Sequence, residues 1–227
     1  MQQGFDFLSG DLARWQGVLA PDVAVILPAA RRTPIGQLVK SLISGRTRDA
    51  VSLAAYHRLG RHFGSAPAIA AATPATVEPV IAEVTFAKAK AEWLVATLGM
   101  IAAERGSFDL AFLAGVPLDT ALAWLERLPG VGRKVAASTL NASSLARPVM
   151  IVDSHVLRVL HRLRFVPTTA DGRATSQAVT AAMPGWDADR FLALHIALKR
   201  LGQDRCRFEE PICGACPLSG DCPSRRD

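Results

Sequence analysis

The chain has 227 residues, enough for one or two domains with a sizeable buried core and too many to depend on staples. Half of its residues are hydrophobic and a fifth are charged, which excludes a disordered or collagen-like chain. With 26 basic against 20 acidic residues the formal charge is +6, a sign that suits a polyanionic partner without identifying one.

In chain order, Met1 to Leu12 has no basic run followed by a sustained apolar core, and Val23 to Leu27 is far shorter than the roughly 20 residues that cross a bilayer. A cytoplasmic protein with no membrane partner is expected. Val23 to Leu27 and Val149 to Val152 are short apolar runs without a hairpin partner, and both are assigned to buried connecting segments. Arg46 to Leu59 contains no Pro and places Val51, Ala54, Ala55 and Leu59 on one helical face, and Lys88 to Leu98 repeats the theme. Leu118 to Leu128 carries a stripe of Leu118, Leu122 and Leu125. Asp187 to Leu201 carries Phe191, Leu194, Leu198 and Leu201, with Asp187 as N-cap and Gly202 as the stop. The fold class is all-α.

Between two of these helices lies Leu128-Pro129-Gly130-Val131-Gly132-Arg133-Lys134. Pro129 stops the first helix, while Gly130 and Gly132 permit positive φ and close backbone approach, so amides at the next helix start can face an anion. An ordinary turn between packed helices explains a bare Pro-Gly-x-Gly equally well. What favours the phosphate seat is charge placement: Arg133 and Lys134 sit in a first turn, where cations oppose the helix dipole, and a phosphate would offset that cost. Lys134 is a phosphate contact, a solvated surface residue or an amine nucleophile; a cleft beside a positive helix end would lower its pKa toward the neutral amine that attack requires. Glu126, on the preceding helix, is placed to face it. Further on, Val152-Asp153-Ser154-His155 precedes the periodic Val156, Val159, Leu160 and Leu163. There Asp153 serves as an N-cap, as a catalytic carboxylate, or as both.

The four cysteines, Cys206, Cys213, Cys216 and Cys222, are confined to the last 22 residues and separated by six, two and five residues. Disulfides are disfavoured in a reducing compartment, and four thiolates so close can wrap one centre, either zinc or an iron-sulfur cluster; spacing alone does not rank the two.

The hairpin at 128 to 134, the Val-Asp-Ser-His at 152 to 155 and the cysteine tail, in that order, resemble the endonuclease III family of helix-hairpin-helix DNA glycosylases. Leu42 to Asp49 is similar to an upstream segment of that family, with Ser44 and Asp49 in place. The resemblance implies a six-helix domain over 36–148 with the helix-hairpin-helix, and a cluster domain built from 1–35 and 149–227. Damaged double-stranded DNA would lie in the cleft between them. It implies a [4Fe-4S] cluster on the four cysteines in the loop 206–222. Lys134 matches the Schiff-base nucleophile and Asp153 the essential carboxylate. Adenine-mismatch relatives do not carry that lysine, so a glycosylase with AP lyase activity, acting on oxidised pyrimidines, is the expected function. Gly130, Val131, Gly132, Arg133 and His155 are then expected DNA contacts. Glu126, Ser44 and Asp49 are expected supporting residues.

In one place the sequence departs from the pattern: Arg46 stands where the family commonly has a glutamine that enters the space left by the flipped nucleotide. The resemblance puts the second wedge position near Thr85 to Ala87. A related glycosylase for other lesions such as alkylated purines, and a weakly active DNA-binding paralogue, are the competing readings. A monomer, nucleoid-associated when on DNA, is expected. Trp15, Trp93, Trp124 and Trp186 are read as core or interface fillers, and the scattered histidines 57, 62, 161 and 195 are not read as a metal set. Residues 126 to 164 hold seven basic residues against two acidic ones, a net +5, so the charge excess concentrates around the expected site. Since a [4Fe-4S] cluster on four thiolates would add about −2, position is the stronger clue.

Overall fold

The structure is a computed structural model that describes residues 9–226. The first eight residues of the N-terminal stretch considered above lie outside this range. Two compact units divide the chain: one is Arg31–Leu145, and the other joins the residues up to Ala30 with those from Ala146 onward. Among the described residues there is no β-strand; Arg32 and Ser143 form an isolated bridge. No helix among them is long and apolar enough to cross a membrane.

Helix α1 is Ser9–Leu19 and α2 is the single turn Val23–Ile26, capped by Asp22, whose carboxylate accepts from the Ala24 N–H at 3.0 Å. This corrects the expectation of a buried connector at 23–27. No residue of α2 is buried, and Val25 is 81% exposed. The cap and the flanking Pro21 and Pro28 favour one isolated turn, which apolar composition alone did not reveal.

The Arg31–Leu145 unit begins with α3, Pro34–Ser44, where Thr33 caps and Pro34 opens the first turn. Next comes α4, Asp49–Phe63, closed by Gly64 at φ 73°. The helix expected over 46–59 thus starts later and runs further. Its buried stripe is Ser52, Ala55 and Leu59, with Ala54 exposed. Two short helices follow, α5 at Ala66–Ala70 and α6 at Pro74–Val77, capped by Ser65 and Thr73. The stretch 88–98 is the middle of α7, Ala87–Arg105, which buries Leu94, Leu98 and Ile101 and ends at left-handed Gly106. Helices α8, Leu118–Glu126, and α9, Arg133–Asn141, flank the glycine turn. Small residues Ala136, Ala137 and Ser138 let α9 pack on α3. There Gln37 donates to Ser41 and Ser138, both at 3.0 Å, so these three polar side chains buried between the helices satisfy one another.

The second unit contributes α10, Ser154–Arg162; α11, Gly172–Ala182; and α12, Ala188–Asp204. Val149 to Val152 is a buried non-helical connector, as expected. Its core gathers Leu12, Trp15, Met150, Val156, Leu160, Phe165, Phe191, Leu194 and Leu198. Asp187 caps α12 at 2.8 Å from the Arg190 N–H, as its type suggests. Gly202 does not end the helix. It is buried two residues inside the helix end, where a Cβ would lie 2.9 Å from that of His155. Close approach of α10, and not a left-handed stop, explains this glycine.

Candidate active site

The turn between α8 and α9 is fixed from within. Gly130 has φ 72°, and a Cβ there would fall 2.6 to 2.8 Å from Trp93 ring atoms, so only glycine fits. The Thr97 hydroxyl donates to the Pro129 carbonyl at 2.7 Å, and Val131 is buried, leaving only its backbone to meet a ligand. Gly132 corrects the expectation of two glycines at positive φ: its φ of −91° and ψ of −179° are extended backbone open to any residue. A Cβ at Gly132 would meet nothing within 4 Å. Neither backbone nor packing therefore demands glycine at 132.

Helix α9 starts without a side-chain cap and without an acid in its first turn, and carries Arg133 and Lys134 there. Arg133 is tied inward: its Nε donates to Glu126 at 2.5 Å, with both side chains one-tenth exposed. Glu126, expected to face Lys134, forms an ion pair with Arg133. Lys134 is half-buried.

Upstream, Ser44 ends α3, its hydroxyl bonded to the carbonyl and ammonium of Lys40, and Asp49 opens α4. The turn between them carries Arg46 at φ 55°, and within the 85–87 segment Phe86 lies at φ 59°. A left-handed conformation costs a non-glycine residue about 1 kcal/mol or more. The Arg46 guanidinium lies 5.8 Å from the centre of the Phe86 ring, which is 58% exposed. Of the three residues in that segment, Phe86 is the large exposed apolar one.

In the other unit, Asp153 caps α10: one carboxylate oxygen accepts from the His155 and Val156 N–H groups, both at 2.9 Å. Burial alone would push this carboxyl up. The charge of His195, the Val156 N–H, and the charges of Lys199 and His155 outweigh it, holding Asp153 below the usual carboxylate range. His195 and Lys199, which the sequence reading did not connect to Asp153, come from α12. The His195 ring is fixed by the Ile151 carbonyl at 2.9 Å. Only the α12 periodicity, which puts both on the face toward the connector, could have hinted at them. His155 is half-buried, and its Nδ1 lies 3.1 Å from Arg158.

All four cysteines are free thiols, and all four line one pocket with Arg162, Arg205 and Arg225. Burial pushes the Cys216 and Cys222 thiols up, and the neighbouring cysteines add to it. The Arg162 guanidinium donates to Cys206 Sγ at 3.2 Å, and the Arg226 N–H to Cys213 Sγ at 3.5 Å. Among the described residues no three His, Cys, Asp or Glu side chains converge closely enough to hold a single metal ion.

Comparison with known proteins adds to this geometry. The family model of the HhH-GPD superfamily base excision DNA repair proteins matches residues 39–184. Endonuclease III of Thermotoga maritima is 28% identical over 189 residues, which cover 83% of this chain and 82% of that protein. The chloroplastic endonuclease III homolog 1 of Arabidopsis thaliana is 29% identical over 203 residues, 87% of this chain but only 50% of that protein. The solved structure of a trapped endonuclease III–DNA covalent intermediate superposes with a TM-score of 0.76 at 23% identity, covering 95% of this chain and 96% of that one. That last likeness is one of fold.

Proposed function

Because the chain belongs to the HhH-GPD superfamily of base excision DNA repair proteins, we propose that it is a DNA glycosylase with AP lyase activity that removes oxidised pyrimidines from duplex DNA. The observation that carries this reading is Lys134: a half-buried primary amine in the first turn of a helix whose start has neither cap nor acid, directly after the glycine turn. A glycosylase that used water alone would need no amine at this point. Support for a phosphate seat comes from Gly132, where the missing side chain leaves open space that nothing in the chain requires.

The chemistry follows from the residue types. The neutral Lys134 amine attacks the sugar C1′. The C1′–base bond breaks, and the base leaves with its bonding pair and takes up a proton. Opening of the C1′–O4′ bond, with O4′ leaving with the bonding pair and taking up a proton, gives the protonated Schiff base, whose iminium acidifies C2′. Loss of a C2′ proton expels the 3′ phosphate oxygen and cuts the strand. Asp153, kept ionised by its neighbours, is suited to stabilise positive charge developing on the sugar. A poorly stacked or mispaired damaged base is the cheapest to extrude. Arg46 and Phe86 are proposed as the side chains that enter the space it leaves.

The cysteine pocket is proposed to hold a [4Fe-4S] cluster through Cys206, Cys213, Cys216 and Cys222. The donor set fits such a group: four free thiols around one pocket, with the Arg162 guanidinium donating to Cys206 Sγ. Bound there, the cluster would supply four iron–thiolate bonds that tie down a tail too short to build a core of its own.

Borohydride trapping tests the central assignment. The wild-type protein should form a covalent adduct with damaged duplex, and Lys134→Ala should form none; equal trapping by both would exclude Lys134 as the nucleophile. A lesion panel run alongside tests the substrate class, and release of an alkylated purine in preference to an oxidised pyrimidine would overturn it.

A further inference from the structure

Arg46 and Phe86 occupy backbone conformations that side chains disfavour, and they do so next to each other, with an exposed phenyl ring under a guanidinium. Two strained, neighbouring turns persist only where something over-determines them. Beneath both lies Lys90 of α7, 3% exposed. Its Nζ donates to the Ile43 carbonyl at 3.0 Å, to the Thr47 hydroxyl at 3.2 Å and to the Gly45 carbonyl. Three acceptors match the three N–H bonds of an ammonium.

Thr47 extends the link. Its hydroxyl donates to the Gly45 carbonyl at 3.3 Å and accepts from both Lys90 and the Thr85 N–H, the latter at 3.1 Å, so its hydrogen-bonding capacity is full. The backbone N–H of Lys90 closes the other side by donating to the Phe86 carbonyl at 3.0 Å. One buried side chain and one hydroxyl therefore hold the residues on both sides of Arg46 and the residue ahead of Phe86.

We propose that Lys90, acting through Thr47, is a positioning residue that locks these two turns so that Arg46 and Phe86 stand as one preformed element for insertion into DNA at the damaged site. The proposal rests on the DNA glycosylase reading above. The residue type supports it: burial pushes the Lys90 ammonium down to about 8, and the charge of Lys134 adds to the shift, so a leucine or methionine would fill the same space without that cost. What an apolar residue lacks is the three N–H donors.

The test uses the full chain and two duplexes, one undamaged and one carrying a tetrahydrofuran abasic analogue, with dissociation constants measured for wild type, Lys90→Met, Thr47→Val, Arg46→Ala and the Arg46→Ala/Lys90→Met pair. Thr47→Val leaves the Lys90 charge in place, and it keeps the proposal testable should Lys90→Met fail to fold. Lys90→Met and Thr47→Val should each weaken binding to the abasic-analogue duplex about ten-fold, with little change on undamaged DNA. In the Arg46→Ala background the further loss from Lys90→Met should shrink to about two-fold or less, because both changes then remove the same element. Undiminished affinity in both Lys90→Met and Thr47→Val, or losses that simply add to that of Arg46→Ala, would overturn the clamp. A wild-type protein that does not distinguish the two duplexes would overturn the glycosylase reading itself.

Discussion

Helices α9 and α10 begin in opposite ways. The start of α10 is settled by Asp153, which accepts two of the helix's own N–H groups and puts a negative charge at the positive end of the dipole. The start of α9 has Gly132 where a cap would stand and two cations where acids are preferred. Among the described α-helices, only α7 shares with α9 the lack of both a capping side chain and a first-turn acid, and α7 is preceded by Phe86. Elsewhere Asp22, Thr33, Ser65, Thr73, Asp171 and Asp187 cap their helices. A chain that caps so regularly leaves open the two helix starts at which DNA is proposed to bind. At α10 it uses the helix end to keep a carboxylate ionised.

The sharpest way to break this contrast is Asp153→Asn. Asparagine caps about as well as aspartate, so the fold should survive with a melting temperature within a few degrees of wild type. Base release should nonetheless fall by about a hundred-fold or more, because the charge is gone. Retained release in a well-folded variant would reduce Asp153 to a cap. The two glycines of the hairpin come next. Gly130→Ala forces a side chain into Trp93 at positive φ and should destabilise the protein by about 2 kcal/mol in denaturant titration. Gly132→Ala should change stability by less than about 1 kcal/mol, since the backbone is extended and the space open, yet weaken DNA binding several-fold. Equal effects of the two on binding and on stability would remove the argument for a phosphate seat. The smallest effect concerns acid. A carboxyl whose folded pKa is depressed stabilises the fold above its unfolded pKa of about 3.9, and that stability is lost as pH falls through the folded value. Wild type should therefore lose more stability than Asp153→Asn when unfolding is followed from neutral pH down past the carboxylate range.

Local chemistry made much of the molecule legible in the sequence. Asp153 and Asp187 read as N-caps because capping depends on a residue and its next three neighbours, and the helical stripes of α8 and α12 follow from spacing. The positions that misled were set by long-range packing. Gly202 has the type of a helix stop, but its use is to admit His155, 47 positions earlier in the chain. Arg46 looked like the first residue of a helix, whereas the turn held by Lys90 delays α4 to Asp49. Lys90 itself, a residue type seldom buried, gives no sign in sequence of three acceptors waiting 43 to 47 positions upstream. For the same reason His195 and Lys199 were not linked to Asp153.

Arg158 carries a further consequence. Its guanidinium donates to the Gly202 carbonyl at 2.7 Å and to the Cys206 carbonyl at 2.9 Å, while meeting His155 Nδ1 at 3.1 Å. In mechanical terms it is a strut between the end of α12, the first residue of the cysteine tail and the residue but one after Asp153. The tail cannot slide along α10 without breaking charged hydrogen bonds at both feet of that strut. Through this one side chain, the position of the cysteine tail and the seating of the Asp153 helix are tied to each other.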